Sequence, residues 1–222
     1  MGDCMIIEFN QTARQPNPTF VGTINGNNFL CAKGSTSGEE GYILYGNQKI
    51  TISDIHREEI NGKKSNQVTD FILNGYRLGY IYPDVVPQKK IWIFSIGYDY
   101  FEFCFNNQNY KVFEVGLGDD QHYFCVYQGD VTIAIIHQKD LKIDFKDMYT
   151  IYALDNIDAV AMCALTLYFD SILEPDYNEY SGHSQIDEAH ITTQKELIAK
   201  YDSTFIPRII EAEKKKQLNN LV

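Results

Sequence analysis

Basic residues are scarce. This 222-residue chain carries 19 Lys and Arg against 30 Asp and Glu, for a formal net charge of −11 and a pI of about 4.8. A field of that sign repels polyanions, so nucleic acid is not an expected partner. The deficit falls within residues 1–179, because residues 180–222 carry equal numbers of basic and acidic side chains. Cysteine is sparse too. Cys4, Cys31, Cys104, Cys125 and Cys163 are odd in number, far apart and mostly set among apolar neighbours. Neither a disulfide framework nor a CxxC metal knuckle can be built from adjacent pairs, and the pattern fits small buried thiols in a reducing compartment.

Long apolar runs are also missing. The longest, Ala159 to Phe169, is about 11 residues, where a membrane span needs roughly 20. The opening MGDCMIIEFNQ has no basic region and an apolar core of only Ile6 and Ile7, unlike a signal peptide. Ile6 stands where a myristoylation motif needs Ser or Thr. A cytoplasmic protein is expected. No G-x-S-x-G, P-loop, HExxH or usefully spaced Cys/His pair occurs, so no catalytic residue, cofactor or metal site is expected.

What the chain has instead is aromatic residues in short segments. Tyr (16) and Phe (13) far outnumber the single Trp, and aromatic enrichment favours strands. Weak strands are expected near Met5–Phe9 and Asn28–Ala32, and a polar loop at Gly34–Gly41. From Tyr42 the spacing is that of a meander or barrel: Tyr42–Gly46, Lys49–Ile60, a basic turn at Asn61–Lys64, Val68–Asn74, an Asn74-Gly75 hairpin turn, and Arg77–Pro83. Lys90–Gly97, Tyr100–Phe105, an Asn106-Asn107 turn, Tyr110–Gly116, His122–Gln128, Val131–His137 and Met148–Leu154 follow.

Asp155–Glu174 then predicts a helix apolar on every face, which protein must enclose because it is too short for lipid. Asp155 is the expected N-cap, with Asp158 adding negative charge to the first turn. Small residues at Ala159, Ala161, Cys163 and Ala164 keep its first half thin. After Pro175 a polar linker leads to one or two amphipathic helices, Ile186–Tyr201 and, after Pro207, Arg208–Leu218, with Lys214, Lys215 and Lys216 suited to a helix C-terminus.

The segments GYRLGYIY, YFEFCFNNQNYKVFEVG, GDVTIAIIH and MYTIYALDN, followed by the helix AVAMCALTLYFDSI with its Phe169-Asp170 pair, resemble the tubby C-terminal-like superfamily. The LURP-one-related branch is the nearest, with a distant likeness to phospholipid scramblases. The likeness covers roughly residues 20–175 and lies in hydrophobic and turn positions, so it speaks to fold more than function. It implies a mainly β fold: a closed antiparallel barrel of about 12 strands with a buried hydrophobic central helix over 155–174, all within residues 1–179. A C-terminal helical extension, 180–222, would follow.

The resemblance also implies a non-enzymatic binding or scaffold module for phospholipid headgroups or a protein partner, peripheral at the membrane where lipid is bound. The chain departs from the scramblase pattern before the helix, where Asp140, Asp144 and Asp147 alternate with Lys139, Lys142 and Lys146.

Lys63-Lys64 and Lys89-Lys90 are the basic doublets of the barrel region, and each could meet an anionic headgroup with ammonium groups and loop amides. Lysines at such places more often solvate turns and guard strand edges. Asp119, Asp120 and His122 form a local set of metal-ligand types, although acidic residues in a hairpin loop are usually turn formers. His56 beside Glu58 and Glu59, and His137 at a strand end, lack a local partner to complete a catalytic set. Cys163 reads as packing. Two alternatives stand beside the binding module. One is a structural subunit, such as a homo-oligomer, assembling through residues 180–222. The other is a small-molecule-binding protein or enzyme with a pocket at the barrel mouth.

Overall fold

A computed structural model describes residues 4–13, 18–34, 40–86, 98–118, 121–139, 146–173 and 192–219. Its architecture follows from local turn chemistry. Asn25-Gly26, Asn74-Gly75 and Asn106-Asn107 each hold positive φ at both positions, 53° and 75°, 54° and 80°, 49° and 62°. That backbone twist matches a pair of antiparallel strands. These turns join β2 (Thr19–Ile24) to β3 (Asn27–Lys33), β7 (Lys63–Leu73) to β8 (Tyr76–Val86), and β9 (Tyr98–Phe105) to β10 (Gln108–Gly116). Turns at Gly46 and Gly129 join β4 (Gly41–Tyr45) to β5 (Gln48–Ile52) and β11 (His122–Gln128) to β12 (Val131–Lys139).

With β1 (Cys4–Ala13), β6 (His56–Ile60) and β13 (Met148–Leu154), the strands run in the order β5-β4-β3-β2-β1-β13-β12-β11-β10-β9-β8-β7. β5 then pairs with β7, which closes a twelve-stranded antiparallel barrel and leaves β6 outside it. These five turns lie at one end, where the chain also leaves β13 at Leu154.

The segment Lys49–Ile60, expected as one strand, is broken in two at residues 53–55, with both pieces on the same edge of β7. Ser53 patches the break: its amide donates to the Asp70 carbonyl at 2.9 Å, and its Oγ accepts from the Asp70 amide at 2.8 Å. β5 closes the barrel against residues 71–73, while residues 63–68 of β7 pair with β6 alone. The expected turn at Asn61–Lys64 is tighter, Asn61-Gly62, so Lys63 and Lys64 stand on β7. The expected strand Lys90–Gly97 lies outside the described residues.

Alternate side chains fill the interior. Ile7, Phe9, Phe20, Ile43, Phe71, Phe103, Phe124 and Ile151 belong to one apolar cluster, and so do Val160 through Leu165. β11 and β12 are apolar on both faces because their outer side is covered as well. Tyr123, Cys125 and Ile135 join a second cluster there with Phe205 and Ile209.

The helix is shorter than expected. α1 (Ala159–Tyr168) is followed by a π-helical turn, Phe169–Leu173. The N-cap is Asp158 rather than Asp155: its backbone is extended, and Oδ1 accepts from the amides of Val160 (2.9 Å) and Ala161 (3.3 Å). Asp155 instead begins a turn closed by the Ile157 amide on the Leu154 carbonyl. Residues Ala161 through Leu167 are 0 % exposed, so the helix is buried on every face. The Thr166 hydroxyl is satisfied within the helix by the Met162 carbonyl at 2.8 Å. At the far end Tyr149 donates to Asp170 at 3.0 Å, and Phe169 stacks on Phe124 at 4.0 Å.

The C-terminal chain packs on the barrel. α2 (Lys195–Ile198) is one short turn, less than the expected Ile186–Tyr201, of which residues 186–191 lie outside the described set. α3 (Phe205–Asn219) starts before Pro207, which the first helical turn tolerates, and lies across β1, β12 and β13. Its apolar stripe, which one alternative reading used to join subunits, packs through Phe205 and Ile209 against the outer side of this barrel.

Candidate functional site

The β6–β7 hairpin and the neighbouring β8 bring charged residues of three consecutive strands together on the outer wall. Arg77 of β8 donates to both carboxylate oxygens of Glu58 at 2.8 and 2.7 Å and lies 2.6 Å from Asp70 Oδ1. The Arg77 hydrogen bond is the main reason the Glu58 carboxyl is held below its ordinary range. His56 Nε2 is 3.5 Å from Glu58 and 3.6 Å from Asp70. One ligand atom each from His56, Glu58 and Asp70 lie within 4.8 Å of one another. The Arg77 guanidinium already bridges both carboxylates, so a divalent ion would have to displace it. The arrangement is that of a side-chain clamp.

Of the four expected headgroup ligands, Lys63 and Lys64 are described, and Lys89 and Lys90 lie outside the described residues. Lys63 is ion-paired with Asp84, which also accepts from the Tyr100 hydroxyl at 2.8 Å. Burial pushes the Asp84 carboxyl up, but Lys63, the Val85 amide and Tyr100 outweigh it and leave the group below its ordinary range. Tyr100 also donates to Glu102 at 3.0 Å, and Glu102 lies 3.8 Å from Lys111. Lys64 is exposed opposite Glu59 in the β6–β7 register. A shallow cleft of about 330 Å³ opens here, lined by Lys63, Tyr80, Tyr82, Glu102 and Cys104 among others. Burial is the main force pushing the Tyr82 phenol up to about 12.

The other residues singled out in the sequence are spread over the molecule. His122 Nε2 is 3.1 Å from Glu114 Oε1, and Asp119 and Asp120 lie outside the described residues. His137 stacks on Tyr123 at 4.7 Å, and Tyr123 stacks on Tyr201 at 4.4 Å, which ties the C-terminal chain to the wall. Cys163 is wholly buried, and burial pushes its thiol up.

The barrel end ringed by two-residue turns is different in character. A cleft of about 550 Å³ opens between Ile24, Phe29, Ile50, Leu73, Leu78, Phe105 and the first residues of α1, with Tyr45, Gln48, Asn106 and Asp158 as its polar members. A neighbouring cleft of about 290 Å³ shares Phe105, Asn106 and Asp158 with it. Asp158 is the only charged side chain among the described residues lining either cleft. Concave, mainly apolar lining with a few polar groups, at several hundred Å³, is the usual character of a small-molecule site.

No family model, curated protein or solved structure matches this chain. Among the described residues no helix is long and apolar enough to cross a membrane.

Sequence reasoning singled out His56 and Glu58 without their partners Arg77 and Asp70, and it offered a pocket at the barrel mouth only as an alternative, without the residues that line it. The cleft beside Lys63 left a trace, because outward Glu102 and Cys104 alternate with inward Phe101, Phe103 and Phe105. The mouth left none, because its apolar residues are the ends of ordinary strands.

Proposed function

We propose that this chain is a non-catalytic, ligand-binding barrel of tubby-like architecture, with α1 threading the lumen and the ligand held at the turn-ringed mouth. Three features support the threading. The helix is buried on every face among inward-facing wall residues. Its first residues line the mouth cleft. Its last turn lies at the opposite end, where Asp170 meets Tyr149 and a Cβ on Gly34 would stand 2.4 Å from Ser171 Oγ. A lumen filled in this way leaves the wall and the ends for binding.

The apolar cleft of about 550 Å³ carries the ligand-binding reading. The charges around Arg77 and Lys63 on the outer wall pair with one another, and the mouth presents apolar surface instead. A neutral fluorescent probe such as N-phenyl-1-naphthylamine should brighten on titration with the protein. Leu78→Trp, which fills the cleft from β8, should abolish the signal while leaving the circular dichroism unchanged. A wild-type protein that gives no signal defeats the reading. Co-sedimentation with anionic vesicles at low salt, lost in a Lys63→Ala, Lys64→Ala double variant, would instead favour headgroup binding on the outer wall.

A further inference from the structure

We infer that the mouth cleft takes an amphipathic organic cation, with an aliphatic or aromatic body in the cleft and an ammonium group beside Asp158. The inference rests on the ligand-binding reading above and adds the chemical class of the ligand.

The body of the ligand follows from where apolar surface remains open. Six partly buried apolar residues pack against the main core: Ile24, Phe29, Leu73, Leu78, Leu154 and Ala159. All but Leu154 line this one cleft, so the incompletely covered part of the core is concentrated at the mouth. An apolar guest would remove that surface from water.

The head group follows from charge. No Lys or Arg is among the described residues lining either mouth cleft, and the one carboxylate there belongs to Asp158. Its Oδ1 is occupied by the Val160 and Ala161 amides. Its Oδ2 takes no hydrogen bond from a described residue. A helix N-terminus ordinarily favours an anion, but here the Asp158 carboxylate already fills that place and repels a second negative charge. An ammonium group can instead donate a charge-assisted hydrogen bond to Oδ2. Asn106 and Gln48 at the rim offer neutral amide oxygens for its remaining N–H groups.

Decylamine, decanol and decanoate, each below its micellar concentration, would be titrated against the bound neutral probe on wild type, Asp158→Asn and Leu78→Trp. Asn caps a helix as well as Asp does, so Asp158→Asn removes the charge and keeps the N-cap. On wild type the amine should displace the probe about tenfold more tightly than the alcohol, with decanoate weakest. Asp158→Asn should bring the three together while the probe still binds, and Leu78→Trp should remove displacement by all three. Equal affinities on wild type, or an amine preference that survives Asp158→Asn, overturns the inference and leaves the ligand-binding reading standing. Failure of the neutral probe to bind wild type overturns both.

Discussion

Arg77 holds Glu58 by both carboxylate oxygens, joining β8 to the strand that lies outside the barrel. Backbone pairing ties β6 to β7 alone, so this fork adds a side-chain tie across three strands. Arg77→Ala should cost about 1 kcal/mol, the upper range for a partly exposed pair, and should speed amide exchange in His56–Ile60 more than elsewhere. Arg77→Lys should recover only part of the loss, since an ammonium cannot fork across two oxygens. Unchanged exchange in β6 on loss of Arg77 would show that the clamp contributes nothing.

Glu58, Asp84 and Asp202 all have carboxyls held below their ordinary range. For Glu58 the first cause is the Arg77 hydrogen bond, and for Asp202 it is the hydrogen bond from Thr204. For Asp84 the Lys63 bond and its companions overcome burial. A carboxyl depressed in the folded state stabilises above its unfolded pKa of about 4 and loses that contribution as pH falls through the folded value. Urea midpoints should therefore be flat near neutrality and decline below about pH 4. The decline should be shallower in Arg77→Ala, whose Glu58 has lost its main partner.

The N-cap makes a separable prediction. Asp158→Ala should destabilise the fold by about 1 kcal/mol, and Asp158→Asn by only a few tenths. Equal losses in chemical denaturation would mean that the charge, and not the cap, is what Asp158 supplies to stability.

Ala164 lies in the middle of α1 with no exposed surface. Ala164→Asp would bury a carboxylate with no partner, a cost of several kcal/mol, and the variant should be recovered unfolded or aggregated. A soluble variant with native near-ultraviolet dichroism would place the helix at the surface.

Gly79 is needed for close approach rather than for a turn. A Cβ there would stand 2.3 Å from the Cys104 carbonyl oxygen and 2.9 Å from Phe105 Cα, both backbone atoms of the neighbouring strand. Gly79→Ala should push β8 from β9 and cost roughly 1–3 kcal/mol in denaturant titration. A neutral outcome would require the two strands to separate without loss.

Most strands and turns were legible because their signals are local: Asn74-Gly75 needs only its own φ preferences, and the Tyr100–Phe105 alternation needs only the pleat. The helix start was displaced by three residues because Asp155 and Asp158 are both competent caps. The turn from Leu154 to Ile157 decides between them, and that turn depends on how β13 ends. The break between β5 and β6 exists only because β7 is shared by the barrel and the outer hairpin. Lys63 could be flagged as basic, but its pairing with Asp84 depends on the path of β7 beside β8. The mouth cleft depends on which strand ends converge, information held in the barrel's register and absent from any one segment.

The barrel seam between β1 and β13, with Cys4 opposite Leu154 and Asn10 opposite Met148, joins the first and last strands of the barrel. Hairpins joined by two-residue turns can form early, but this last seam must wait for partners at opposite ends of the barrel sequence. Such non-local closure slows folding and leaves strand edges unpaired in the meantime. On the ribosome, β1 emerges first and finds its second neighbour only after residue 154 has been made. During that interval an open sheet with a growing apolar face has to remain soluble, and the chain's surplus of negative charge keeps neighbouring nascent copies apart.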